Sequence, residues 1–180
     1  MVTRRTVLTA VALAVLIPGA AAASLSIDAL GYLGSRPTAV TEVPRDETAR
    51  LGEFSVHLTD LQIARAGTPA AEDRAVPPGA DLLVADFRVD PGATLADGLP
   101  YCEIDLVGEG PDGPATWSGS GYVDADYRVP DGLATSCERG GGSAYDLEVL
   151  FLLPTGVAET ASFQISARDL LPQAIRMPIG

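Results

Sequence analysis

The sequence predicts an all-β fold, an antiparallel sandwich of about seven short strands preceded by an N-terminal signal or anchor helix. Three observations predict it. Apolar residues recur with period two in several short runs, the mark of strands with one buried face. Turn-forming residues separate those runs, with 19 Gly and 14 Pro among 180 residues. After residue 30 no stretch carries the apolar period of a helix.

The leader comes first. Arg4 and Arg5 form a positive n-region, Val7 to Ile17 an unbroken apolar run, and Pro18-Gly19 followed by Ala20 to Ala23 a cleavable end. Thr3-Arg4-Arg5-Thr6-Val7-Leu8 also resembles a twin-arginine export signal, without the aromatic residue and the Lys often found there. No charge falls between Thr6 and Ile27, and about 20 apolar residues span a bilayer, so a retained anchor with its Arg pair inside is the alternative. Residues 1–23 are therefore a signal peptide or an N-terminal membrane anchor, and either places the body outside the cytoplasm. No Cys follows the apolar run, which leaves a lipid-modified N-terminus without its attachment point.

Residues 24–50 mix Gly, Ser, Pro and charge without a period and are expected to be a flexible linker, leaving 51–180 as the sandwich. Phe54, Val56 and Leu58 alternate with Ser55, His57 and Thr59, and Leu61 and Ile63 continue after a phase slip near Thr59-Asp60 of the kind a β-bulge produces. Residues 66–79, ending Val76-Pro77-Pro78-Gly79, are expected to be a loop. Leu83, Ala85, Phe87 and Val89 then alternate with Val84, Asp86 and Arg88. From Tyr101 to Val107, Cys102, Ile104 and Leu106 share one face, and Glu103 and Asp105 the other. Trp117 falls on a short strand after the turn at 110–113, and residues 118–143 form a long irregular, acidic stretch. Tyr145, Leu147, Val149, Phe151 and Leu153 give the clearest alternation, with Asp146 and Glu148 between them. Phe163 to Ala167 and Ala174 to Ile179 complete the set.

Charge and cysteine usage narrow the setting. All 12 basic residues are Arg, and neither Lys nor Asn occurs, a pattern of GC-rich codons that also removes any N-glycosylation acceptor. Without residues 1–23 the body keeps 10 Arg against 24 acids, a formal charge of −14. Such a body repels nucleic acid and anionic headgroups, so no nucleic-acid partner is expected, and membrane contact only through an uncleaved N-terminal segment. Cys102 and Cys137, two cysteines in an exported chain, are expected to form one disulfide, because the further His or Cys ligands of structural zinc are missing.

No motif carries recognisable chemistry, and no cofactor, catalytic residue or metal site is expected. His57, the single histidine, sits mid-strand on the polar side of its run. Ser120 in Gly119-Ser120-Gly121 lacks the Gly two residues earlier that a nucleophile elbow requires. Asp124, Asp126, Asp131 and Asp112 are hard oxygen donors, but their spacing is not that of an EF-hand. Arg139-Gly140-Gly141-Gly142 has neither the Lys-Ser/Thr nor the following helix of a phosphate loop. Glu103 and Asp105 share a strand face without a cleft to make them a glycosidase pair. Trp117 is expected in the core near the disulfide. Tyr122, Asp124, Asp126 and Tyr127, on the long irregular stretch, are the candidate contact loop, since loops over a rigid frame carry recognition.

The runs Leu51-Gly52-Glu53-Phe54-Ser55-Val56, Pro78-Gly79-Ala80 and Leu147 to Pro154, with Tyr101 to Leu106, Trp117 and Cys137 between them, resemble actinobacterial envelope proteins carrying a telokin-like, immunoglobulin-type domain of unknown function. The resemblance covers most of 51–180 through short motifs, and the missing lipid-attachment Cys departs from its lipoprotein members. It implies an exported or anchored Ig-like β-sandwich and brings no catalytic residues. The expected function is a non-enzymatic binding module of the cell envelope whose partner is an envelope protein or a wall component. The alternatives are a calcium- or carboxylate-dependent secreted hydrolase, and a structural spacer without a ligand.

Overall fold

In the computed structural model of the chain, described over residues 34–92, 102–137 and 143–180, the alternating runs become two facing sheets. Residues 1–23 and the reading of them as a leader lie outside the described residues, among which no helix is long and apolar enough to cross a membrane. The chain divides into a unit ending at Arg36 and a unit from Pro37 to Gly180, and the second holds the sandwich.

The strands are β1 (Ala39–Glu42), β2 (Ala49–Leu51), β3 (Phe54–Ala64), β4 (Ala80–Asp90), β5 (Cys102–Gly110), β6 (Gly113–Ser118), β7 (Tyr145–Pro154), β8 (Ser162–Ala167) and β9 (Gln173–Pro178). One sheet runs β1-β9-β8-β5-β6 and the other β2-β3-β4-β7. Every pairing is antiparallel except that of β1 with β9, which is parallel. The β-sandwich expected from the alternation is thus the observed fold.

The core lies where the alternation placed it. Leu83, Ala85, Phe87 and Val89 of β4, and Leu147, Val149, Phe151 and Leu153 of β7, meet Ile104 and Leu106 of β5 and Phe163 and Ile165 of β8. Phe163 reaches across the gap, edge-on to Phe87 at 5.1 Å between centroids and tilted against Phe151 at 6.0 Å. Each such ring, fully withdrawn from water, contributes about 2–3 kcal/mol by area alone. The register of β3 on β4 slips between Leu58 and Asp60, the bulge anticipated from the phase slip.

Three elements differ from expectation. Residues 39–42 and the first two residues of 49–51, inside the stretch 24–50 read as a flexible linker, belong to strands β1 and β2. Both are too short to show a period, and β1 is held by pairing with β9 rather than by burial. Residues 66–79 are not only loop: α1 (Pro69–Asp73) forms there, with Pro in its first turn and Ala71 as its one buried residue. Trp117 pairs in register with Leu106 on edge strand β6 and is half-buried against the core, several residues along β5 from Cys102 rather than beside the disulfide.

Cys102 and Cys137 are joined, as expected, both sulfur-bearing residues buried at 6% and 5% exposure. Asp81, buried at the start of β4, accepts hydrogen bonds from the N–H groups of Ala66 (2.8 Å) and Gly156 (3.0 Å) and so ties two loops to one strand end.

Candidate functional site

A sheet with one face on the core usually turns a polar face to water. The four-stranded sheet does so only in part. Leu82 and Val84 of β4 and Leu150 of β7 point away from the core yet are 0%, 2% and 0% exposed. With Ala64 and Ala71 they form a second, smaller apolar cluster, covered by Val76, Val123, Ala125, Tyr127 and Val129. The irregular stretch after β6 is therefore a strap laid over the outside of this sheet.

Local sequence explains its path. Gly119 donates to the Ile104 carbonyl at 3.0 Å while lying against Val149 and the Phe151 ring, so any Cβ there would collide with Val149. That close approach lets the chain leave one sheet and cross to the other. Ser120 then exchanges both backbone hydrogen bonds with Leu150 (3.1 and 2.8 Å), and Ala134 bonds Asp146 and Glu148 (2.9 and 2.9 Å), so the strap is clipped to the outer edge of β7 at both ends. Between the clips, Tyr122, Asp124 and Asp126 are exposed while Val123, Ala125 and Tyr127 turn to the sheet.

Beneath the strap lies a carboxylate pair. Asp60, Asp86 and Glu148 stand side by side on β3, β4 and β7. Glu148 is only 3% exposed; its Oε2 accepts a hydrogen bond from the Tyr127 hydroxyl at 3.1 Å. Its Oε1, and Oδ1 of Asp86, are buried and receive no hydrogen bond among the described residues. Burial, then the neighbouring Asp86, raises Glu148 to about 7, and Asp86 is raised as well, chiefly by burial. Tyr127 is pushed up to about 12 by burial and then by Glu148. Arg74 lies over the Tyr127 ring at 5.1 Å from its centroid, donates to Gln62 Oε1 (3.1 Å), and accepts the Asp126 N–H on its carbonyl (2.6 Å). Gln62 in turn donates to Asp60 Oδ2 at 2.9 Å, and this bond, with one from the Leu61 backbone, lowers Asp60.

The residues singled out in the sequence are divided by this geometry. Tyr122, 77% exposed, with Asp124 and Asp126 forms the outer surface of the strap, whereas Tyr127 faces inward onto Glu148. His57 lies beside the Thr59 bulge with Nδ1 buried and unbonded among the described residues. The Ser120 hydroxyl accepts the Tyr122 N–H at 3.1 Å, a local turn contact. Asp112, Asp124, Asp126 and Asp131 are all exposed, and no group of three metal-ligating side chains gathers among the described residues. Residues 139–142 and Tyr101 lie outside the described residues. Asp105 is raised by burial, against the opposing hydrogen bond of Ser118, and with Ser118, Thr135 and Ser136 it lines a crevice of about 230 Å3 beside the disulfide.

Sequence reasoning missed the pair and the inward face of the strap. The signal was present: Val123, Ala125, Tyr127 and Val129 alternate as a strand would, and Leu82, Val84 and Leu150 make the outer sheet face apolar.

No family model matches the chain, and no curated protein matches it. The actinobacterial, telokin-like resemblance therefore has support only as far as a β-sandwich. A β-sandwich protein of uncharacterised role from Clostridium difficile 630 is 8% identical, with a TM-score of 0.41 over 78% of this chain and 94% of its own. A candidate lipoprotein from Staphylococcus aureus subsp. aureus NCTC 8325 is 10% identical, with a TM-score of 0.34 over 67% of this chain and 81% of its own.

Proposed function

We propose that the chain is a non-enzymatic interaction module of the cell envelope, a β-sandwich outside the cytoplasm that meets an envelope protein or wall component through its strap. The observation that carries this reading is Tyr122: among the described residues it is the large apolar side chain left exposed, at 77%, and Asp124 and Asp126 flank it. An aromatic held on a clipped strap offers contact area at little entropic cost, as recognition surfaces require. The buried Cys102–Cys137 disulfide supports an oxidising compartment, where such bonds persist. The export-type leader in the sequence supports the same location.

The runner-up is a carboxylate-dependent hydrolase using Asp86 and Glu148, since a carboxyl raised to about 7 is what a general acid needs. Tyr127 and the strap cover that pair, which favours the interaction reading. The test is a photo-crosslinking residue at position 122, compared in the living host with the same residue at exposed position 116 on the opposite sheet. Adducts from 122 alone support the strap as the contact surface. Equal yields from both positions, or none from 122, refute it.

A further inference from the structure

Two buried acceptors facing one another with no donor between them are an unstable arrangement unless something positive lies there. Asp86 Oδ1 and Glu148 Oε1 are such a pair, on directly opposed residues of β4 and β7, and the Tyr127 hydroxyl is already committed to the other Glu148 oxygen. A single proton turns one carboxyl into a donor toward the other and removes the repulsion. We propose that residues 121–129 are a proton-gated strap: it closes over the four-stranded sheet when Asp86 and Glu148 share one proton taken from solvent, and loosens when both are ionised. The strap responds to pH in this way whether or not it binds a partner.

The charges around the pair fix the sign. Asp60 on β3 and Asp146 on β7 add negative potential at Asp86. Arg88 on β4 is spent on Asp146 at 3.0 Å. Arg74, beyond α1, is the cation facing Glu148 from above, and it is shared with the Tyr127 ring and Gln62. His57, on β3 opposite Arg88, stands in the next row. Ionising both carboxyls thus leaves two adjacent anions under an apolar cover with one shared Arg, among the described residues, to offset them. Lifting the strap rehydrates Glu148 and lowers its titration while Asp86 stays beside it, so deprotonation favours the open form. The acid group is raised further when covered, so closure is strongest at acid pH and is lost as pH climbs through about 7, beyond which it levels off.

The test is hydrogen exchange of the strap amides, chiefly those of Ala125, Asp126 and Tyr127, corrected for intrinsic rates and referenced to core amides of β4. In the intact chain with chelator present, protection of these amides should fall about tenfold or more between pH 5 and pH 8, one unit of differential titration being tenfold, while the β4 amides hold theirs. Glu148→Gln should abolish the fall, and Asp86→Asn, which removes the same repulsion, should also abolish it, so that one misfolded variant does not decide the matter. Equal protection at both pH values in the parent chain overturns the proposal. So does recovery of protection at pH 8 by millimolar calcium, which would mean that the pair is built for a cation rather than a proton.

Discussion

Removing the disulfide is the perturbation whose cost follows most directly from the chain. Cys102 and Cys137 are separated by 35 residues, and in the chain-entropy model closing a loop of that size removes about 12–13 cal/mol/K from the unfolded ensemble, or about 4 kcal/mol at room temperature. Both residues are buried in the principal core, so changing them to Ala adds a smaller cavity cost for the two lost sulfurs to that of the lost bond. For a domain of this size about 4 kcal/mol corresponds to a fall in Tm of roughly 10–15 °C. The assay is calorimetry or circular-dichroism melting of the Cys102→Ala, Cys137→Ala double variant beside the oxidised parent and the reduced parent. The reduced parent keeps both sulfurs in the core and should fall by somewhat less than the double variant, since it has lost the bond alone. A double variant melting within about 3 °C of the oxidised parent would show that the unfolded chain is not constrained as the loop length implies.

Three further outcomes follow from the packing and the electrostatics. Phe163→Ala, which empties the contact between both sheets, should cost about 3–5 kcal/mol in denaturant unfolding, and a loss under about 1 kcal/mol would mean the core collapses to fill it. Asp81→Ala strips the acceptor from the Ala66 and Gly156 N–H groups and should cost about 2–4 kcal/mol in the same assay, with Asp81→Asn recovering part of it because one acceptor remains. Because Glu148 is raised from its ordinary value of 4.5 to about 7 in the fold, native stability contains up to about 3 kcal/mol that is complete below pH 4.5 and gone above pH 7. Melting across that range should show the parent losing stability as pH rises and Glu148→Gln losing markedly less; parallel profiles would place the titration elsewhere.

The strands were legible because burial on one face writes itself into alternate residues, and even the slip at Thr59 could be read as a bulge before the register was seen. The disulfide was legible because two cysteines in a chain read as exported have few other uses. What stayed hidden depends on pairing between distant segments. β1 has four mostly exposed residues and exists only because β9 accepts it, a fact that no local pattern encodes. Asp86 and Glu148 each looked like an ordinary solvent-facing residue of its own strand. Their adjacency, and the strap that buries them, come from the β4–β7 register and from the crossing at Gly119. The resemblance to envelope proteins pointed to the right architecture while supplying nothing about this covered face, where the sequence-level contact loop divides into three outward residues and the inward Tyr127.

The parallel pairing of β1 with β9 decides how this domain responds to being pulled. The register Ala39 to Gln173 through Glu42 to Arg176 runs both strands the same way, so tension between the segment before β1 and the end of β9 acts along the strands. Such a load strains the bonds of that ladder together, as a lap joint resists sliding, whereas an antiparallel terminal pair would peel one bond at a time. Arg45, whose guanidinium donates to the Ile179 carbonyl at 2.8 Å, adds a rivet just beyond the ladder. A sandwich tethered through its N-terminal side and gripped at the other end would therefore hold its shape under force that unzips a simple hairpin.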